Sequence, residues 1–134
     1  MRIFIDTNIF FSAILFQGSI PYLAIEKTLS EAYEAWTSDY CLGELLRIIE
    51  NKSPKNYEKM EKYLEKLSPS LHIHNDSSVV QDVEYSVRDK NDRTVIRSAI
   101  EVDSDIMITG DKDLLILRTN KPKIITPREF IDNY

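Results

Sequence analysis

Four acidic residues, far apart in the sequence, occupy positions from which their side chains could meet. Two of them follow short apolar runs that predict buried strands, and two lie near the starts of amphipathic stretches that predict helices. In chain order they are Asp6, Glu44, Asp92 and Asp111. Carboxylate oxygens are the ligands that Mg²⁺ and Mn²⁺ prefer, and crowded carboxylates repel one another unless a cation neutralises them. The expected chemistry is therefore that of a divalent metal site.

Such a site suits the hydrolysis of a phosphodiester bond. One metal ion can lower the pKa of water towards neutrality, and a second can stabilise the leaving oxygen of an in-line displacement. Asn8, two residues after Asp6, and Thr109, two residues before Asp111, could orient the carboxylates through hydrogen bonds. The predicted catalytic and metal-binding set is Asp6, Glu44, Asp92 and Asp111.

Each acidic residue also has an ordinary structural interpretation. Asp6 could belong to a turn after a strand, Asp92 could be a helix N-cap, and Glu44 could be a solvated residue beside an apolar stripe. Asp111 stands in Thr-Gly-Asp-Lys-Asp after a buried strand and is the strongest single signal. The metal-site prediction therefore depends on the four positions taken together.

The apolar spacing along the chain predicts the elements that would bring these residues together. Strand patterns occur at residues 1–5, 35–37, 71–74, 105–109 and 123–125. Helical spacing occurs at residues 20–29, 42–49, 57–67 and 92–100, and again after the capping sequence Thr126-Pro-Arg-Glu129. The polar residues 75–81 predict a loop.

Strands that alternate with helices predict an α/β fold with a central parallel sheet, formed by one domain over residues 1–134. In such sheets, ligands bind beyond the carboxyl ends of the strands. Asp6 and Asp111 directly follow strands and so lie at that edge. Helices that follow strands begin at the same edge, which also brings Glu44 and Asp92 close.

Composition narrows the possible functions. The 134 residues are 43% hydrophobic, which allows one compact domain with a core. The net charge of -5 argues against a general nucleic-acid coating protein, which would be basic. It does not exclude a nucleic-acid enzyme, because metal-binding carboxylates count as negative charges. No phosphate-binding glycine loop or serine nucleophile elbow is present.

Cysteine usage and hydropathy indicate a cytoplasmic protein. The single cysteine, Cys41, excludes an internal disulfide framework and is expected to be a packing residue rather than a catalytic thiol. Asp6 and Asn8 interrupt the apolar N-terminal stretch, so we expect mature protein there rather than a signal peptide. No apolar stretch reaches the ~20 residues of a membrane helix, so no membrane association is expected.

Basic residues close to the acids in sequence are candidates for binding the phosphates of a nucleic acid. They are Lys90, Arg93, Arg97 and Lys112, although solvated surface charge is the ordinary interpretation of each. His72 and His74 share one face of a predicted strand and could form a zinc pair, but no cysteine or acid stands at a suitable spacing.

Five motifs spread over nearly the whole chain carry a family resemblance. They are Ile5-Asp-Thr-Asn8, Glu44-Leu-Leu-Arg47, Asp89-Lys-Asn-Asp92, Ile108-Thr-Gly-Asp-Lys-Asp-Leu114 and Ile125-Thr-Pro-Arg-Glu-Phe130. Together they resemble the PIN-domain family, and most closely its small prokaryotic VapC-like branch of toxin components from toxin–antitoxin systems. The resemblance implies a three-layer α/β/α fold and Mg²⁺- or Mn²⁺-dependent endoribonuclease activity. It also implies frequent homodimers and a cognate antitoxin partner.

The resemblance assigns roles to individual residues. It gives the family's metal-binding acidic roles to Asp6, Glu44, Asp92 and Asp111, with Asn8 and Thr109 as polar support and Asp89 and Asp113 as accessory acids. Many relatives carry proline and a further acid where this chain has Lys90 and Asn91, so the pocket is expected to be less negative.

Two other functions stay open. One is a non-catalytic PIN-like module that binds RNA or protein, and the other is a metal-dependent phosphatase or DNA nuclease.

Overall fold

Five short strands form one parallel sheet in the computed structural model, which describes all 134 residues. The strands are β1 (Arg2–Ile5), β2 (Glu34–Ser38), β3 (Leu71–His74), β4 (Ile106–Ile108) and β5 (Lys123–Ile125). Their order across the sheet is β3-β2-β1-β4-β5, and every neighbouring pair is parallel. The predicted central parallel sheet is therefore confirmed.

The strand order reverses between β1 and β4, which creates a crevice at the carboxyl edge of the sheet. The chain runs outward from β1 through β2 to β3 and then crosses to β4 on the other side of β1. The backbone N–H of Asp6 donates to the carbonyl of Ile108 at 3.1 Å, so the two strands end side by side. Ligands of open α/β sheets bind at such a reversal point.

Seven α-helices connect and cover the strands. They are α1 (Thr7–Leu15), α2 (Ile20–Thr28), α3 (Asp39–Lys52), α4 (Tyr57–Leu67), α5 (Lys90–Glu101), α6 (Lys112–Leu115) and α7 (Pro127–Asn133). Two 3₁₀ turns lie at Pro54–Asn56 and Asp82–Ser86. No single helix is long and apolar enough to cross a membrane, and the consecutive pair α1 and α2, which together reach the length and composition, is bent by 116°.

Both faces of the sheet are covered, because each central strand contributes alternate residues to two separate cores. Ile3 and Ile5 of β1 face a larger core that includes residues of α1, α2, α3, α4 and α7. Phe4 faces a smaller core against Val95 and Ile96 of α5. The two-residue period of a strand makes this division possible. The result is the predicted three-layer α/β/α arrangement.

Cys41 is fully buried in the smaller core. Burial raises the pKa of its thiol to about 11, so the side chain is neutral near pH 7. The prediction of a packing residue is confirmed.

Helix α1 corrects the interpretation of Asp6 as a turn residue. Asp6 caps this helix, and its side chain accepts a hydrogen bond from the Thr7 backbone N–H. Apolar residues lie all around α1, and Ile9, Phe10 and Ile14 are buried. Because a helix buried on most sides has no polar face, it shows no amphipathic period in the sequence.

Candidate functional site

One hydroxyl group ties the ends of β1 and β4 together. Asp6, which is 5% exposed, accepts a hydrogen bond from the Thr7 backbone N–H at 2.7 Å through Oδ1. Its Oδ2 accepts from the Thr109 hydroxyl at 2.6 Å. The same Thr109 oxygen accepts from the backbone N–H of Asp111 at 3.0 Å. Thr109 therefore fixes the carboxylate of Asp6 directly, and it fixes Asp111 through the backbone N–H of Asp111.

Asp111 caps α6 and lies in a cluster of three carboxylates. Its Oδ1 accepts a hydrogen bond from the Asp113 backbone N–H at 2.8 Å. Carboxylate oxygens of Asp92, Asp111 and Asp113 all lie within 4.8 Å of one another. Asp113 also pairs with Arg88, whose Nη2 lies 2.7 Å from its Oδ2. Asp113, assigned to an accessory position from the sequence, is thus closer to the centre of the cluster than expected.

Asp92 is the third residue of α5, and its environment disfavours a free carboxylate. Asp89 caps this helix instead, because its Oδ1 accepts from the Asn91 backbone N–H at 2.9 Å, so the N-cap interpretation of Asp92 is wrong. The Oδ2 atom of Asp92 is buried and has no hydrogen-bond partner. Burial first, and then closeness to Asp111, raise the pKa of Asp92 to about 8.

The pKa values of Asp6 and Glu44 show that they belong to the same electrostatic cluster. Burial raises the pKa of Asp6 to about 6, against the lowering effect of its hydrogen bonds, and the charges of Glu44 and Asp111 raise it further. Burial also raises the pKa of Glu44, and the charge of Asp111 acts in the same direction. A hydrogen bond with Tyr40 partly offsets this rise. All four acids predicted from the sequence therefore influence one another at one edge of the sheet.

The donor set fits a hard divalent cation. Every donor is a carboxylate oxygen, and the buried Oδ2 of Asp92 has no partner within the chain, a place that a bound cation would fill. Crowded carboxylates repel one another, and their arrangement becomes favourable once a cation neutralises them. The two histidines take no part, because His74 Nε2 lies 3.1 Å from Glu101 Oε1 and His72 stacks on Trp36. This arrangement does not support the alternative of a zinc pair.

Asn8 supports the loop at the site rather than a carboxylate. Its Oδ1 accepts a hydrogen bond from the Gly110 backbone N–H at 3.4 Å. Gly110 joins Thr109 to Asp111, so this contact fixes the turn that leads from β4 into the acidic cluster. Tyr40, which the sequence analysis did not identify, is a more direct neighbour of Glu44. Its position four residues before Glu44 on the same helix face was the available signal.

The predicted RNA-binding residues differ in the exposure of their side chains and in the contacts that these side chains form within the chain. Lys90 and Lys112 are exposed and form no ion pair with a carboxylate. Arg93 is half-buried, and its Nε donates to the Val87 carbonyl at 2.9 Å. Its side chain is therefore anchored at one end.

Arg97 is held inside the fold. Its guanidinium donates two hydrogen bonds to the Glu84 carboxylate, at 2.7 and 3.0 Å, and a third to the Ser77 carbonyl at 2.6 Å. Glu84 is 2% exposed. These contacts give Arg97 a stabilising role, and its contact with RNA stays a prediction.

Comparison with known proteins bears on the family and the fold. Residues 2–113 match the family described as the PIN domain. An uncharacterised protein of Methanocaldococcus jannaschii is 32% identical over 149 aligned positions, which cover all of this chain and 92% of the relative.

Two solved structures share the fold. VapBC2 from Rickettsia felis, bound to a DNA fragment from its promoter, aligns with a TM-score of 0.68 and 20% identity over 94% of this chain and 97% of that chain. A toxin–antitoxin complex from Klebsiella pneumoniae aligns with a TM-score of 0.61 and 22% identity over 92% of this chain and 96% of that chain. The extent of the family match and the identity to the archaeal relative establish that the chain belongs to the PIN domain family.

Proposed function

We propose that this chain is a metal-dependent endoribonuclease. The observation that carries the proposal is the buried, unpartnered Oδ2 of Asp92 beside the carboxylates of Asp111 and Asp113. The raised pKa values of Asp6 and Glu44 support the same cluster. A group of acids that is unfavourable when empty and favourable around a cation is what metal-assisted hydrolysis requires.

Asp6, Glu44, Asp92 and Asp111 would hold Mg²⁺ or Mn²⁺, with Asp113 beside them. Bound there, a divalent ion would make water a better nucleophile and neutralise the charge on the phosphate. Thr109 keeps Asp6 and Asp111 in place, so its role is to position ligands rather than to react. Exposed Lys90 and Lys112, with Arg93, would bind the flanking phosphates of the RNA.

We further propose that the chain is the toxin of a toxin–antitoxin pair. One solved structure of the same fold is described as a toxin–antitoxin complex, and VapBC2 from Rickettsia felis shares that fold, which supports a protein antitoxin as the partner of this chain. Homodimer formation and a cytoplasmic location belong to the same proposal. Expression of the chain should arrest bacterial growth, and co-expression of the product of an adjacent gene should relieve the arrest.

The nuclease proposal is tested by cleavage of a 5′-labelled single-stranded RNA with Mn²⁺, with excess EDTA, and with a DNA strand of the same sequence. We expect cleavage of RNA only with the metal, and products that bear a 5′-phosphate. Asp92→Asn should reduce the rate by roughly 100-fold or more. Asp132→Asn is the matched control, because Asp132 is exposed on α7, and it should retain the parent rate. Full activity in EDTA would exclude the mechanism.

A further inference from the structure

A polar groove lies directly beside Glu44, between α3 and the start of α5. It has a volume of about 380 Å³, within the range of small-ligand sites, roughly 300–1,000 Å³. Besides Glu44, its polar lining consists of Tyr40, Arg47, Asn51, Lys52 and Asn91. The α3 residues recur three or four positions apart, which places them on one face of the helix. One end of this groove is thus a member of the acidic cluster.

The groove presents two cationic side chains without ion pairs and two amides without hydrogen bonds, although Arg47 also lies 6.0 Å from the centroid of the Tyr40 ring and its charge lowers the pKa of Glu44. Neither Arg47 nor Lys52 forms an ion pair with a carboxylate, in contrast to Arg88 and Arg97. The side-chain amides of Asn51 and Asn91 form no hydrogen bond within the chain. Two cations without an ion pair give this part of a chain of net charge -5 a local attraction for an anion.

We propose that this groove binds the nucleotide next to the cleaved phosphodiester of a single-stranded RNA. Arg47 and Lys52 bind the phosphates of that nucleotide, and the amides of Asn51 and Asn91 hydrogen-bond to its base edge. This inference rests on the proposed nuclease function, since the cleaved phosphate must reach the carboxylates.

The chemistry of the lining favours a nucleotide over other ligands. Arg47 and Lys52 disfavour a metal ion as the ligand of this groove, because cations repel it. An amide carries both donors and acceptors, so it complements the edge of a base. Ile48 adds an apolar contact for the flat face of the base. A base can enter such a groove only when it is unstacked, which selects single-stranded RNA.

The phosphate part of the inference is tested by RNA binding in the Asp111→Asn background, where the RNA should stay intact. Adding Arg47→Glu should weaken binding of a short labelled RNA roughly tenfold and reduce the slope of log K against log salt by about 0.7 or more. Arg128→Glu is the matched control, because it makes the same charge change on α7 at an exposed residue without an ion pair. It should change neither quantity by a comparable amount.

The base-reading part is tested with four RNAs that differ at the one nucleotide next to the cleavage site. The parent should prefer one base, and Asn51→Ala with Asn91→Ala should reduce that preference roughly fivefold or more. The salt slope should stay at its parent value, because no phosphate contact is removed. A variant that fails to fold would lose both the base preference and the parent salt slope, so unfolding would not give this result.

The outcomes distinguish this inference from the function on which it rests. If the parent neither cleaves nor binds RNA, both fail together. If the parent cleaves RNA with Mn²⁺, but Arg47→Glu binds like Arg128→Glu and the double asparagine variant keeps the base preference, only the groove inference is overturned. An acidic peptide as the true occupant would give this second result.

Discussion

At the scale of single residues, Thr109 connects two acids of the cluster through one oxygen atom. Its hydroxyl donates to Asp6 at 2.6 Å and accepts from the Asp111 backbone at 3.0 Å. Thr109 is fully buried, so water does not replace these hydrogen bonds when the hydroxyl is removed. The geometry of the cluster therefore depends on a residue that does not itself belong to the acidic set.

Thr109→Val should lower both stability and activity. We expect a loss of about 1–3 kcal/mol in the free energy of unfolding and a fall in cleavage rate of roughly 10- to 100-fold. The Thr109 hydrogen bond lowers the pKa of Asp6, so its loss should move the acid limb of the pH–rate profile to higher pH. Thr109→Ser keeps the hydroxyl and should restore the profile. A profile unchanged in the valine variant would show that Thr109 only fills space.

The site residues were predictable to the extent that they follow from strand ends and helix starts. Asp6 and Asp111 are examples, because Asp6 directly follows β1, Asp111 follows β4 after Thr109 and Gly110, and each caps a helix. The closeness of Asp113 was not predictable, because it depends on α6, a helix of only four residues. Such a short helix has no apolar period in the sequence.

At the scale of elements, the segment before α5 is attached to that helix by two arginines. Arg97 binds Glu84 and the Ser77 carbonyl, and Arg93 binds the Val87 carbonyl. Glu84 also accepts from the Gln81 backbone N–H, which completes the cap of the 3₁₀ turn at Asp82–Ser86. These contacts place Asp89, and with it the start of α5, beside the acidic cluster.

Arg97→Ala should destabilise the fold by about 3 kcal/mol, because it leaves the buried Glu84 carboxylate unpaired. The hydrogen bond from Arg97 lowers the pKa of Glu84. The pair therefore stabilises the protein above the ordinary glutamate pKa, and this contribution is lost as pH falls through the lowered value. Arg97→Lys should recover only part of the stability, since lysine lacks the two-pronged geometry. Urea unfolding at pH 7 and pH 3 measures both effects.

Arg128→Ala, at an exposed site, should leave stability nearly unchanged. If Arg97→Ala is as stable as this control, the Arg97–Glu84 pair has no structural role. The Arg97 side chain would then be available to contact RNA.

The elements were predictable where apolar residues recur with a helix or strand period. The helix Tyr57–Leu67 and the strand Leu71–His74 have the predicted bounds. Helix α3 begins three residues before its apolar pattern, because Ser38 caps it through the Cys41 backbone N–H. The contacts of Arg97 were not predictable, because sequence spacing does not show that Glu84 lies buried against it.

At the scale of the whole molecule, the acidic cluster links stability to pH. Asp6 and Asp92 have raised pKa values of about 6 and about 8, so between the ordinary aspartate value and pH 8 the folded chain binds more protons than the unfolded chain. Stability of the metal-free protein should therefore fall as pH rises through this range.

Asp92→Asn should flatten this dependence, because asparagine does not titrate. We expect the melting temperature of the metal-free parent to decrease from pH 5 to pH 8 more steeply than that of the variant. Asp132→Asn, which removes an exposed carboxylate, should follow the parent. If the melting temperatures of the parent and Asp92→Asn change with pH in parallel, Asp92 is ionised and solvated from pH 5 to pH 8.

The central claim is that the clustered carboxylates hold a divalent cation, and thermal unfolding with and without Mn²⁺ tests it most directly. At about one hundred times its dissociation constant, Mn²⁺ should stabilise the parent by roughly 2.7 kcal/mol and Asp111→Asn by much less. Without metal, Asp111→Asn should be at least as stable as the parent, because asparagine keeps the oxygen that caps α6 and removes a repelling charge. If Mn²⁺ shifts neither unfolding curve and Asp111→Asn destabilises the metal-free fold by several kcal/mol, the cluster is structural and the claim is wrong.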